Sequence, residues 1–323
     1  MSRQSDTTQP RPLVGISTCL LGEKVRYDGG SKLDRYLHDT LGRFVKFVPV
    51  CPEVESGMGV PRDAMRLVNM NDQVRLVTGK TGTDQTVTMQ GWMKKRLPAL
   101  SGNKLCGYIF KSRSPSCGLF RVKVYSPEGM PTGSSRGIYA GAFTIAFPLV
   151  PVEEEGRLND GRLRENFIER IFIMQRWYTL NESRRTAGHL MEYHARHKYI
   201  LMAHCPATLK TLGKYLANSR GVPIREVYDE YFKRFIHALA KIATPSKNTN
   251  VLQHIMGYFK KTLSSAEKAE LVAIIENYHK GLVPLIVPVT MLNHYVNKYN
   301  DPYLAKQYYL NPHPLELMLR NHV

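Results

Sequence analysis

Three cysteines stand in settings where chemistry is possible: Cys19 in ISTCLLG, Cys51 in VPVCPE and Cys117 in SPSCG. Thiolates are soft ligands suited to zinc or to iron-sulfur clusters, and spacing alone does not choose between them. Each thiol also has a plainer reading as a small buried hydrophobe. The surrounding loops would suit a shared site: Cys51-Pro52-Glu53 stiffens a turn, and Ser114-Pro115-Ser116-Cys117-Gly118 lets backbone approach a ligand closely. Five cysteines in 323 residues is an odd, sparse count without a C-x-x-C pair. That suits metal or catalytic use in a reducing compartment better than a disulfide framework or a thiol redox protein.

These residues must be positioned by an α/β half. Strand-like runs span Leu13 to Ser17, Phe44 to Val50, Gln73 to Val77, Gly107 to Phe110, Val122 to Tyr125 and Ile145 to Val150. Helical runs span Ser31 to Leu41, Gln85 to Leu97 and Ser134 to Phe143, the first and last opened by serines able to cap exposed N–H groups. The alternation predicts an α/β domain with a mostly parallel sheet. Cys19 and Cys51 then follow strands at their carboxyl ends, where open α/β sheets bind ligands, and Cys117 lies in the loop after another strand. Cys106 begins that strand and so belongs to the opposite end of the sheet.

The composition divides the chain further. Residues 1–12 are polar and read as a flexible tail, 13–152 as the cysteine-bearing domain, and the acidic, glycine-punctuated 153–161 as a linker. From 162 to 323 β signals almost vanish, and Leu163, Phe167, Ile171 and Met174 recur at helical spacing, so this half reads as all-α. Within it, Ser264 and Glu267 have the S-x-x-E form of a capping box.

Charge bounds the partners. Forty-five basic residues against 27 acidic give a net charge of +18, spread over both halves. This favours a broad surface facing a phosphate polymer, with salt-sensitive binding. The first residues lack the apolar run of a secretory signal, and no stretch approaches the roughly 20 apolar residues needed to span a bilayer. The expectation is a cytoplasmic protein with no membrane partner.

The strings ISTCLLGEKVRYDGG, VPVCPEVESGMGVPR and KSRSPSCG resemble, in order and spacing, the signature of the thiouracil desulfidase (TudS) family. The likeness covers about Leu13 to Val150. The second half, with EYHARHKYILMAH, NVLQHIMGYFKK, LIVPVTML and QYYLNPHPLELMLRN, is similar to the helical domain of a two-domain subfamily associated with removing sulfur from 4-thiouridine in tRNA. The resemblance implies a 4Fe-4S cluster held by Cys19, Cys51 and Cys117, with one iron not ligated by protein. It implies Glu53 as an acid/base group and Ser114 as a polar catalytic partner, and it matches neither Cys106 nor Cys205 to a ligand position. The implied reaction is non-redox attack of water on a thiolated uridine, giving uridine and sulfide, with tRNA as partner.

Around this core the sequence suggests helpers. Asp28, before two glycines in RYDGG, is a candidate for the pocket or else an Asx-type turn. Lys111 and Arg113 flank Ser112 near Cys117 and are candidate phosphate anchors. His194 and His197 have an H-x-x-H spacing that is weak evidence for zinc, and Tyr258 with Lys260 and Lys261 is the kind of mixture that stacks bases or fills a core. Two other readings stand beside tRNA desulfidation: desulfidation of free thiouracil or thiouridine nucleotides, and a non-catalytic RNA-binding protein with a structural metal.

Overall fold

Strand β1 (Leu13–Ser17) organises the first half. Its central residues Val14 and Ile16 are fully buried, and it carries a parallel strand on each side: β2 (Lys46–Val50) in the register Val14↔Phe47, and β5 (Gly107–Phe110) in the register Val14↔Gly107. In this computed structural model residues 10–322 are described. They fall into two compact units, the chain dividing between Asn159 and Asp160.

In chain order the first unit continues after β2 with a single-turn helix α1 (Pro52–Glu55), β3 (Met65–Met70), β4 (Gln73–Thr78), α2 (Thr86–Ser101) and β5. Then come β6 (Val122–Tyr125), β7 (Pro131–Ser135), α3 (Ile138–Ala146) and β8 (Val152–Glu154). One sheet, ordered β2-β1-β5-β8, is parallel throughout. The second, ordered β4-β3-β6-β7, is mixed: β3 and β6 are parallel, and each has an antiparallel neighbour. The α/β expectation holds, with an additional sheet. All four residues of β5 are buried, as a central strand requires. Tyr108 stacks on Phe110 with ring centroids 4.1 Å apart and leans on Phe143 at 4.6 Å. Gly15 permits this: a Cβ there would lie 2.2 Å from Tyr108 Cδ2.

Several elements differ from expectation. Residues 145–150 are not a strand, since α3 runs to Ala146 and Pro148 and Pro151 break any ladder beyond it. The edge strand is instead β8, which starts at Val152 and runs into the segment expected as a linker. The helix expected over Ser31 to Leu41 shortens to a π turn over Tyr36–Thr40 and a 3-10 turn over Leu41–Arg43, because Asp34 Oδ1 accepts the N–H of Leu37 and starts the winding there. Ser134 lies in β7, and α3 begins only at Ile138.

The second unit is helical: α4 (Gly161–Glu182), α5 (Ala187–His204), α6 (Pro206–Ala217), α7 (Ile224–Leu239), α8 (Pro245–Met256), α9 (Ser265–His279) and α10 (Ile286–Lys298). Trp177 of α4 lies flat on Phe232 of α7, centroids 4.2 Å apart and planes 6° off parallel. The capping box is present: Ser264 Oγ accepts the N–H of Glu267, and the Glu267 carboxylate accepts the N–H of Ser264 at 2.8 Å. No helix among the described residues is long and apolar enough to cross a membrane.

Buried charge ties the C-terminal segment to this unit. Arg320, 4% exposed, donates Nε to Glu165 (3.1 Å) and Nη1 to the carbonyl of Tyr309 (2.7 Å), and its Nη2 is 3.6 Å from Glu169. Burial, reinforced by Arg320, holds the nearby His313 imidazole down to about 4. The unfolded chain, with an ordinary histidine, therefore takes up this proton more readily than the native one. Stability from neutral His313 is complete above pH ~6.5 and declines as pH falls toward 4, by about 3 kcal/mol over that window. Urea unfolding at pH 7 and pH 4.5 checks this: wild type is expected to lose more stability between the two than His313→Asn, and equal losses would remove the histidine from the account.

Candidate metal and active site

The strand order of the parallel sheet reverses at β1: the chain steps to β2 on one side, then crosses to β5 on the other. Such a reversal opens a crevice beyond the carboxyl ends of the strands. Cys19 lies there, in the 3-10 turn Thr18–Leu21 that follows β1, with its carbonyl accepting N–H bonds from Gly22 (3.3 Å) and Lys32 (2.9 Å). Cys51 follows β2 and caps α1, with Pro52 in the first helical position, which needs no N–H donor. The loop after β5 brings Cys117. All three thiols line one cavity of about 700 Å³ and are themselves 4–9% exposed.

The Cys117 loop is close-packed. A Cβ on Gly118 would lie 2.3 Å from Val122 Cγ2, and one on Gly137 would lie 2.5 Å from the carbonyl oxygen of Ser116. Ser114 Oγ accepts the N–H groups of Ser116 (3.2 Å) and Cys117 (3.0 Å), and Gly118 N–H returns to the Ser114 carbonyl at 2.7 Å. Ser114 thus builds the turn that presents Cys117, and its own hydroxyl proton is the donor it has left.

Burial, with the Glu53 carboxylate adding to it, pushes the Cys19 thiol up to about 11 and Cys51 to about 12, and raises Cys117 well above the ordinary range. Such thiols are poor nucleophiles, yet a bound metal cation reverses the balance and takes them as thiolates. Among the described residues no group of three His, Cys, Asp or Glu side chains is placed to hold a single metal ion. A wide cavity with one thiol from each of three segments suits a multi-iron cluster, whose irons take a thiolate each.

Glu53, 9% exposed, sits two residues beyond Cys51; its Oε2 accepts from Cys51 Sγ at 3.5 Å and lies 3.9 Å from Arg62 Nη2. Arg62 is fixed by donating Nη1 to the carbonyls of Val25 (3.0 Å) and Gly59 (3.2 Å). The carboxylate thus stands buried at the cavity wall with one cation beside it and a thiol against it. Glu53 and Ser114 both line the cavity with the three cysteines.

The other candidates distribute differently. Asp28 is not among the residues lining the cavity; its Oδ1 accepts the Gly30 N–H at 3.0 Å and pairs with Arg26, so it makes the Asx turn. The Gly30 N–H first, and then Arg26, hold its carboxyl below the usual range. Lys111 lines the cavity, but its ammonium is bound by Glu155 Oε1 at 2.5 Å and by Ser112. Arg113 also lines it, in a left-handed backbone conformation with φ 60°. Cys106 is buried at the amino end of the sheet, its N–H donating to the Leu13 carbonyl, and Cys205 belongs to the helical unit. His197 is wholly buried between the rings of Tyr193 and Tyr308, with Nδ1 on the Tyr193 carbonyl, and is core. Arg26, Arg62 and Glu155 line the cavity without having been singled out as site residues from sequence. For Glu155 a signal existed, the run Glu153-Glu154-Glu155, but it reads as linker composition.

Comparison with known proteins divides the chain in the same way. Residues 14–155 match the 2-thiouracil desulfurase family. Residues 198–314 match a family described as a protein of unknown function (DUF1722). YbgA of Escherichia coli (strain K12), an uncharacterized protein, is 32% identical over 165 residues, which are 51% of this chain and 98% of YbgA. The chain belongs to the YbgA family. It exceeds YbgA in length, and the desulfurase match lies on residues that include every thiol lining the cavity. Among solved structures, the [4Fe-4S]-dependent thiouracil desulfidase TudS is 28% identical, over 47% of this chain and 95% of that one, with a TM-score of 0.38.

Proposed function

We propose that this protein removes sulfur from 4-thiouridine in tRNA, using a 4Fe-4S cluster held by Cys19, Cys51 and Cys117. The observation that carries the reading is the lining of one cavity by three thiols, Glu53 and Ser114, all within the desulfurase domain. Held by Cys19, Cys51 and Cys117, such a cluster would supply a Lewis acid for a soft thiocarbonyl sulfur.

This chain's own residues do the rest. Glu53 takes a proton from the attacking water and returns one to the ring or the departing sulfur. Arg62, itself held by the Val25 and Gly59 carbonyls, keeps that carboxylate in place. Ser114 uses its remaining proton to hydrogen-bond the pyrimidine, so that charge developing on the ring is stabilised where it forms. The balance is hydrolytic: the carbon-sulfur double bond becomes a carbon-oxygen double bond, one water is consumed, hydrogen sulfide leaves, and no electrons are exchanged with an outside donor.

The net charge of +18 supports a polymeric substrate, since a free base needs few phosphate contacts. Arg26, Lys32, Arg62 and Arg113 place cations along the cavity. With tRNA as substrate the working compartment is the cytoplasm. Sulfide release by the anaerobically reconstituted protein tests this on tRNA carrying 4-thiouridine, on 4-thiouridine itself and on 2-thiouracil. The tRNA is expected to give the highest kcat/KM, falling steeply between 50 and 200 mM salt as is general for phosphate contacts. Turnover of the free compounds alone would replace tRNA with a small-molecule substrate, and no sulfide from any would end the desulfidase reading.

A further inference from the structure

The acidic run at the end of the desulfurase domain braces the Cys117 loop from both sides. Glu154, the last residue of β8, pairs with Phe110, the last residue of β5, so its backbone lies beside the point where the loop departs. Its side chain, 6% exposed, reaches the far end of that loop: Oε1 accepts the N–H of Leu119 at 2.8 Å and that of Phe120 at 3.0 Å. The next residue grips the near end. Glu155 Oε2 accepts the N–H of Ser112 at 2.7 Å, and Oε1 accepts Ser112 Oγ at 2.8 Å and Lys111 Nζ at 2.5 Å. Glu154 closes β8 and Glu155 opens the turn after it, and the two neighbours serve opposite ends of one loop. Glu153 completes the run by accepting from Arg157 Nε (2.6 Å) and from the Glu154 N–H.

We infer that Glu154 and Glu155 are positioning residues that hold Ser114 and Cys117 in register with the cavity by fixing the loop at 111–112 and at 119–120. Between the two anchors lie Arg113, Ser114 and Cys117, all lining the cavity. The four N–H donors named, Leu119, Phe120, Ser112 and the Ser114-bound amide of Cys117, leave the loop few unsatisfied backbone groups, and a loop whose amides are bound to carboxylates is held by charge-assisted bonds. The Lys111–Glu155 pair also withdraws Lys111 from phosphate binding: removing Glu155 frees an ammonium at the cavity wall.

Hydrogen-deuterium exchange of residues 111–121 in the full-length, cluster-loaded protein tests the brace, together with kcat and KM for sulfide release and the iron content of each variant. Glu154→Ala is expected to speed exchange at Leu119 and Phe120 about tenfold or more, the loss expected when charged acceptors leave buried donors unpaired. It is expected to lower kcat with little change in KM. Glu154→Gln keeps an oxygen able to accept both N–H groups and is expected to restore exchange and kcat to near wild type, a rescue that general destabilisation would not show. Glu155→Ala is expected to speed exchange at Ser112 and leave Leu119 protected. Should Glu154→Ala fail to fold, Glu154→Asp, which is one methylene too short, reads the same exchange. Unchanged exchange in both alanine variants, or a Glu154→Gln as defective as Glu154→Ala, would overturn the inference. The kinetic arm rests on the desulfidase reading and the exchange arm does not, so the two can fail separately.

Discussion

Glu53→Gln is expected to lower kcat for sulfide release between a hundred and ten thousand fold, the usual range for loss of a general acid/base. The amide keeps the volume of the side chain, and Arg62 retains its bonds to the Val25 and Gly59 carbonyls, so the cavity wall persists. What disappears is the ability to carry a proton. Iron and sulfide content should match wild type, because Cys51 keeps its place as the cap of α1. KM should change little if the carboxylate acts on water rather than on the base. A fully loaded Glu53→Gln protein that retains about a third of wild-type kcat would remove Glu53 from the chemistry and leave it as the partner of Arg62. Ser114 is a less clean target, since it also accepts two amides of the Cys117 turn and its removal disturbs geometry as well as donation.

Arg320→Ala should destabilise the helical unit by about 3–5 kcal/mol, the cost of leaving buried charge unpaired. The guanidinium answers two carboxylates that are themselves little exposed, Glu165 and Glu169, and one backbone carbonyl. His204 shares Glu169, and His322 shares Glu165, so neither acid would be wholly abandoned. A fall in melting temperature of about 10 °C is expected for a unit of this size, read by calorimetry of the full chain. Arg320→Lys should fall between, because an ammonium restores charge but not the three-way geometry. A loss below about 1 kcal/mol in Arg320→Ala would mean the acids find solvent instead.

Much of the first unit was legible because its strands are dense in β-branched residues: LVGIS and VKVY. The mixed sheet was less so. β7 reads PTGSS, with Thr132 the one side chain in it that favours a strand, and it is held to β6 by the backbone ladder and by Thr132 Oγ1 donating to the Val124 carbonyl at 3.2 Å. β3 was missed although a two-residue Asn71-Asp72 turn, both at positive φ, joins it to β4, which is a hairpin signal. The three thiols were traceable because each follows a strand. For Asp28 the turn was one of two readings the sequence offered, and the Gly30 amide two residues on makes it the observed one; Lys111 was not traceable, since its partner Glu155 lies 44 residues away. The capping box needed only local chemistry and could be read directly.

Where the first unit ends has a consequence for how such chains are cut and joined. The composition suggests dividing the sequence after Val152, but β8 and the bonds of Glu154 and Glu155 lie beyond that point. A fragment stopping at Val152 would lose the edge strand and both carboxylates that grip the Cys117 loop, while one stopping at Asn159 keeps them. The same constraint acts on a genetic fusion that attaches a new partner to this first unit: a junction placed after the acids keeps them, so the apparent spacer travels with the upstream module as part of its working parts.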